Sequence, residues 1–217
     1  MAPAPLGTHS LGILGGTFNP PHLGHLAVAR HAQAELGLER VVLVPAHTAP
    51  YKSDREGGAG GEDPGPEHRL RMCELAVAGV DGLSVCPIEV ERGGLSYSVD
   101  TLRAIHASHP DAELTFIVGA DTAATIGSWR EPQQLLQLTR LAIATRAGAA
   151  RARVREALAA IATSDVCFLE MPPIEASSSL ARRRVAHGEA VEDLVGPAVA
   201  AYIAEHRLYR VAAVASR

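Results

Sequence analysis

Polar and apolar positions along this chain fall into two textures. Short, nearly unbroken apolar runs alternate with longer segments in which apolar residues recur every three or four positions. The runs are LGILGG (11–16), VVLVPA (41–46), LSVCPIEV (83–90), LTFIVG (114–119), LAIATR (141–146) and VCFLE (166–170). The second, fourth and fifth are almost continuously apolar, which predicts strands buried on both faces of a parallel sheet. The amphipathic segments at 24–37, 67–79, 98–109, 131–138, 149–162, 178–188 and 197–207 read as helices. Strand–helix alternation predicts an α/β fold with a doubly wound, mostly parallel sheet, which takes its ligands beyond the carboxyl ends of the strands.

One stretch breaks the pattern. Residues 53–67 (SDREGGAGGEDPGPE) have glycine, proline and acidic side chains and no apolar anchor. They read as a mobile loop, either one that covers a site next to Lys52 or a tolerated surface insertion. The 217 residues favour one domain, with an N-terminal tail at 1–9 and a helical C-terminal part at 174–217.

Composition adds mainly exclusions. The net charge of −4 gives no bulk attraction to nucleic acid or to an acidic membrane. No apolar run is long enough to span a bilayer, and the opening MAPAPLGTHS does not resemble a signal peptide. Three cysteines, far apart and without a CxxC pair, support neither a disulfide framework nor a zinc site. The expectation is a reduced, cytoplasmic protein, with its oligomeric state open.

The densest chemistry lies in GGTFNPPHLGHL (15–26). Gly15 and Gly16 close the first run and are expected to let the chain turn sharply and a ligand approach the backbone. Asn19 is expected to cap a helix that starts near Pro21 or His22, with a proline in its first turn. The free amides of such a turn make an anion site. His22 and His25, three positions apart, share one face of it. They could donate hydrogen bonds to charge growing on a leaving pyrophosphate, or simply cap and pack the helix. No GK[ST] or GxGxxG follows, and two histidines alone are not a zinc site.

Further on, SSSLARRR (177–184) offers Ser177 or Ser178 as a second helix cap, with Arg182 one turn later. Read alone, it is a capped surface helix with basic residues on its wet face. Arg146 follows an apolar run and is expected at the carboxyl edge of the sheet, whereas Lys52 read alone is an ordinary surface lysine. Trp129, the single tryptophan, suits either core packing or stacking on a flat heterocycle.

These segments resemble a known family. GGTFNPPHLGHL is similar to the GGTFDPxHxGH signature of the nucleotidyltransferase superfamily. PYK (50–52), SYSVDTL (96–102), GADTAATIGSW (119–129), TRAG (145–148), SSSLARRR and YIAEHRLY (202–209) follow in the order found in bacterial nicotinate-nucleotide adenylyltransferases. The resemblance implies a Rossmann-like nucleotidyltransferase fold. It also implies adenylyl transfer from ATP to nicotinate mononucleotide, giving nicotinate adenine dinucleotide and pyrophosphate for NAD biosynthesis.

The site residues follow from the same resemblance. Gly15, Gly16, Thr17, Phe18, His22, His25, Ser177, Ser178, Ser179 and Arg182 would hold ATP. His22, His25 and Arg182 would act on its phosphates, with Mg2+ carried mainly by those phosphates. Lys52 and Arg146 would hold the phosphate of the mononucleotide. Trp129 would stack on its pyridine ring, and Tyr97 and Ser98 would contact the carboxylate. Gly119 and Asp121 would lie near a ribose. The chain departs from the family where Tyr51 replaces a histidine, for which His47 or the Tyr51 hydroxyl could substitute. Alternatives are nicotinamide mononucleotide as acceptor, dual specificity, or a non-catalytic nucleotide sensor of the same fold. Phosphopantetheine as acceptor is disfavoured by SYS and Trp129, and a class I aminoacyl-tRNA synthetase by the chain length. Neither nucleic acid nor membrane is expected as a partner.

Overall fold

In a computed structural model, described here for residues 10–50, 63–145, 148–159, 161, 166–172 and 174–210, six parallel strands form one sheet. They are β1 (Ser10–Gly16), β2 (Arg40–Pro45), β3 (Leu83–Val85), β4 (Glu113–Gly119), β5 (Arg140–Thr145) and β6 (Val166–Glu170), in the order β3-β2-β1-β4-β5-β6. The helices are α1 (Leu23–Leu36), α2 (Pro66–Val77), α3 (Ile88–Arg92), α4 (Ser98–Ser108), α5 (Ala120–Ala123) and α6 (Pro132–Leu138). They continue as α7 (Gly148–Ala159), α8 (Ser178–Ala186), α9 (Glu192–Val195) and α10 (Pro197–Glu205), with a 3-10 turn at Ile126–Ser128.

Apolar side chains leave each inner strand on both sides, as the unbroken runs require. Ile13, Phe116, Val118 and Ile143 pack on one face against α4, α6 and α7. Leu14, Leu43, Ile117 and Ala142 pack on the other against Ala29 and Ala32 of α1 and Cys73 and Val77 of α2. A third cluster joins Met72 of α2 to Ala181, Val195, Val199 and Ile203 of α8–α10. The C-terminal helices thus fasten onto α2.

From β1 the chain winds outward through β2 and β3, then returns to pair β4 with the other edge of β1. This reversal opens a crevice at the carboxyl ends of β1 and β4, where doubly wound sheets bind ligands.

Three local expectations need correction. The run at 83–90 is a strand only to Val85. Pro87 has no N–H for the ladder, and α3 follows at once. Pro66 and Glu67 belong to α2, with proline in the first turn where its missing donor costs nothing; residues 53–62 of the expected loop lie outside the described part. Finally, α1 begins at Leu23 with His22 as its N-cap, so Pro20 and Pro21 precede the helix and Asn19 does not cap it.

Candidate active site

The loop leaving β1 turns for a reason other than the one its glycines suggest. Gly15 and Gly16 are still in the strand, in register with Val44 and Pro45. The left-handed residue is Phe18, at φ 51, a conformation costing a non-glycine residue about 1–2 kcal/mol. The Phe18 ring is buried and folds back under the strand. A Cβ on Gly16 would meet that ring at 3.2 Å, so the glycine provides space for it. A cis peptide joins Asn19 to Pro20, and α1 starts three residues later.

His22 and His25 meet as the spacing predicts. Their rings stack with centroids 3.7 Å apart, and the Phe18 and His25 rings meet in a T-shaped pair with centroids 4.8 Å apart. The backbone N–H of His22 donates to Nδ1 of His25 at 3.2 Å. Neutral His25 therefore carries its proton on Nε2. Burial lowers the pKa of His22 to about 4, so its ring is uncharged near neutral pH. Two buried polar atoms here, Thr17 Oγ1 and His22 Nδ1, have no hydrogen-bond partner among the described residues. Gly24 lets the histidine ring lie close: a Cβ there would sit 2.9 Å from Nδ1 of His22 and 3.3 Å from the carbonyl of Ala176.

The start of α8 faces the same loop. Ser177 caps this helix, its hydroxyl accepting from the Leu180 N–H at 3.2 Å. The Ser178 hydroxyl donates to the carbonyl of Pro20 at 2.8 Å. Arg182, buried, donates through Nη1 to the carbonyl of Asn19 at 2.7 Å, and Nη2 lies 3.5 Å from the Ser179 hydroxyl. The Tyr209 hydroxyl donates to Oδ1 of Asn19 at 2.7 Å. The side chain expected to cap α1 instead ties the loop to the far end of the chain. The first turns of α1 and α8, each with unspent amides, thus meet across residues 19–22.

The other side of the crevice holds the flat side chains. Trp129 is half-buried. It forms a T-shaped pair with Phe116 of β4, centroids 6.2 Å apart, and donates from Nε1 to the Thr125 hydroxyl at 3.2 Å. The ring thus packs against the core while part of it stays accessible. Tyr97 is the N-cap of α4 and Ser98 its first residue, and the Arg130 guanidinium lies 4.8 Å from the Tyr97 ring centre. Gly119 ends β4 with open space where a Cβ would point. Asp121 is exposed and 3.8 Å from Arg153. Lys52, Tyr51 and Arg146 lie outside the described residues. His47 sits at the carboxyl end of β2 as expected, with Nδ1 3.1 Å from the Thr48 hydroxyl and 3.2 Å from the Gly94 carbonyl.

Two buried charged residues escaped the sequence reading, Arg69 because nothing in a helical pattern marks which polar position turns inward, and Glu89 because the run that holds it reads as a strand. Arg69 of α2 and Glu89 of α3 are 1% and 7% exposed. The Thr101 hydroxyl donates to Glu89 at 2.5 Å, and burial raises the pKa of that carboxyl. Among the described residues no three His, Cys, Asp or Glu side chains gather as a metal cage. The β1 loop offers imidazoles and hydroxyls where a hard divalent cation prefers carboxylate oxygen. These residues do not build a Mg2+ site of their own.

The chain is similar to known proteins over most of its length. The cytidylyltransferase-like family model matches residues 13–184. A protein of Bordetella petrii named a probable nicotinate-nucleotide adenylyltransferase is 41% identical over 202 residues, 92% of this chain and 98% of that one. One of the same name from Gemmatimonas aurantiaca is 38% identical over 204 residues, 92% of each chain. Among solved structures, nicotinic acid mononucleotide adenylyltransferase of Plasmodium falciparum, complexed with NaAD, superimposes with a TM-score of 0.70. That match has 18% identity and covers 92% of this chain and 97% of the other, a likeness of fold.

Proposed function

We propose that this chain, which belongs to the nicotinate-nucleotide adenylyltransferase family, transfers the adenylyl group of ATP to nicotinate mononucleotide. A phosphate oxygen of the mononucleotide attacks the α-phosphorus of ATP. The bond from that phosphorus to the oxygen bridging to the β-phosphate breaks. Nicotinate adenine dinucleotide forms and pyrophosphate leaves with the bonding electrons.

The observation that carries this reading is the stacked His22–His25 pair at the meeting of two helix starts. The acceptor phosphate is already a nucleophile, so the protein has to align two phosphates and stabilise charge on the leaving group. A neutral imidazole donating from Nε2, as the His22–His25 hydrogen bond favours for His25, suits that task. Amides at the starts of α1 and α8 would receive the triphosphate, with Gly15, Gly16, Thr17, Phe18, Ser177 and Ser179 around it. Ser178 and Arg182 fix the loop in its present shape; Arg182 would turn its remaining N–H groups, and Ser178 its backbone N–H, to the β- and γ-phosphates. Trp129 would stack on the pyridine ring, and Tyr97 and Ser98 would receive its carboxylate at the start of α4. Lys52 and Arg146 would hold the attacking phosphate, and Gly119 and Asp121 would border a ribose. Mg2+ would arrive on the triphosphate and neutralise part of its charge.

The test is pyrophosphate release from ATP with nicotinate mononucleotide and with nicotinamide mononucleotide, each supplied alone. A clear preference for the acid is expected. Equal rates would make the enzyme dual-specific, and release with neither would leave a nucleotide-binding protein without this activity.

A further inference from the structure

Beyond the last rungs of the β1–β2 ladder, the two strands are joined by a side chain. The ladder ends where Gly16 pairs with Pro45 and the Ala46 N–H reaches the Gly16 carbonyl at 2.9 Å. From there the strand ends diverge into separate loops, and Arg69 of α2 fills the space between them. Its Nη1 donates to the carbonyl of Thr17 at 2.9 Å and to that of Ala46 at 2.5 Å. Nη2 donates to the carbonyl of His47 at 2.7 Å, and Nε to Oδ1 of Asp63 at 3.0 Å.

Each end of this bridge belongs to a different substrate's side. Thr17 opens the loop to His22. On the other side, the His47 N–H donates to the Ser96 hydroxyl at 2.9 Å, and the Ser96 N–H to the Thr48 carbonyl at 2.9 Å. Ser96 leads into Tyr97 and Ser98, which start α4. One guanidinium therefore links the triphosphate loop to the segment proposed for the pyridine carboxylate. The planar fork matters here, since a lysine ammonium has three donors on one nitrogen and no fixed spread.

We propose that Arg69 is a positioning residue for the transfer: it fixes the distance between the two half-sites, and with it the approach of the acceptor phosphate to the α-phosphorus. This rests on the adenylyltransferase reading. At 1% exposed, Arg69 acts through the backbone it holds. In-line displacement needs the reacting atoms about 3–3.5 Å apart, and a misplacement of ~1 Å lowers the rate about 10²-fold.

The experiment compares Arg69→Lys, Asp63→Asn and wild type. It measures kcat at saturation in both substrates, and the dissociation constant of ATP and of nicotinate mononucleotide separately. Assays run well below each melting temperature. Leu158→Ala, on the core-facing side of α7, controls for general destabilisation. Arg69→Lys is expected to lower kcat about 10²-fold while each substrate alone binds as in wild type, and Leu158→Ala to keep kcat. Asp63→Asn leaves the three carbonyl bonds intact and is expected to lower kcat by a smaller factor with the same unchanged binding. Unchanged kcat in Arg69→Lys overturns the proposal, as does loss of kcat only in proportion to binding. If Arg69→Lys does not fold, Asp63→Asn decides by the same criteria. Wild-type pyrophosphate release in the same assay tests the reaction itself, so its absence is distinguished from a failure of the Arg69 assignment.

Discussion

The ring of His22 lies 3.7 Å from that of His25, centroid to centroid, with the planes inclined at 29°. Two imidazolium ions at that separation would repel each other strongly, so the geometry suits a pair that is not doubly charged. Such donors can be aimed at a leaving group without first losing a counterion. Replacing either ring by alanine should therefore lower kcat by about 10²–10³, with the dissociation constant of the mononucleotide little changed. Single-turnover rates measure the first and equilibrium titration the second. A near-wild-type kcat in either variant would remove that histidine from the chemistry.

The buried ring also leaves a mark on stability. His22 titrates near 4 in the fold against 6.5 as its ordinary value, because burial disfavours the charged form. As pH falls from 6.5 towards 4, the unfolded chain takes up a proton that the folded chain refuses. The contribution of the neutral ring is thus whole above 6.5 and lost on the way down, ~3 kcal/mol in all. Melting temperature should fall more steeply over that window in wild type than in His22→Gln. Parallel curves would contradict the assignment.

Gly24→Ala separates packing from folding. Alanine favours a helix over glycine by about 1 kcal/mol, so the melting temperature should hold. The added methyl would lie 2.9 Å from Nδ1 of His22 and must push the ring aside. We expect kcat to drop at least ~10-fold. Unchanged turnover would show that the ring position is not critical.

Trp129→Ala should raise KM for nicotinate mononucleotide and leave KM for ATP nearly unchanged. The ring is half-buried and packs against Phe116, so a modest fall in melting temperature is expected as well. Equal losses for both substrates, with a large fall in melting temperature, would reduce the residue to core packing.

The inner strands of this fold were legible because burial on both faces leaves few polar positions in their runs, and the reading of β4 and β5 rests on that. The helix start at His22 was legible to within a residue or two, but its cap was not. Asn19 has the chemistry of a cap, and only the placement of Tyr209 reveals that its side chain is committed elsewhere. The tail of the 83–90 run fails for a related reason: Ile88 and Val90 are apolar because α3 packs, not because a strand continues. Arg69 was invisible for the opposite reason. An arginine in an amphipathic helix ordinarily faces water, and its carbonyl partners come from β-strand ends more than twenty residues away in sequence.

Tyr209→Phe removes one oxygen and leaves Oδ1 of Asn19 buried without that donor. Such an orphaned acceptor costs about 1–3 kcal/mol. Burial pushes the phenol pKa of Tyr209 up, so the wild-type hydroxyl keeps its proton at any working pH. We expect a lower melting temperature together with weaker ATP binding, because Asn19 sits in the loop between Phe18 and His22. A lower melting temperature with intact ATP affinity would make the contact purely structural.

That contact also sets the order in which the enzyme can come to life. β1 is synthesised well before α8 and Tyr209, and its loop must wait for a residue 190 positions later before Asn19 finds its partner. Until then the loop lacks the support of α8 as well. A nascent chain carrying every glycine and histidine of the motif is still without a finished site. The loop takes its final support only once the chain has been made as far as Tyr209.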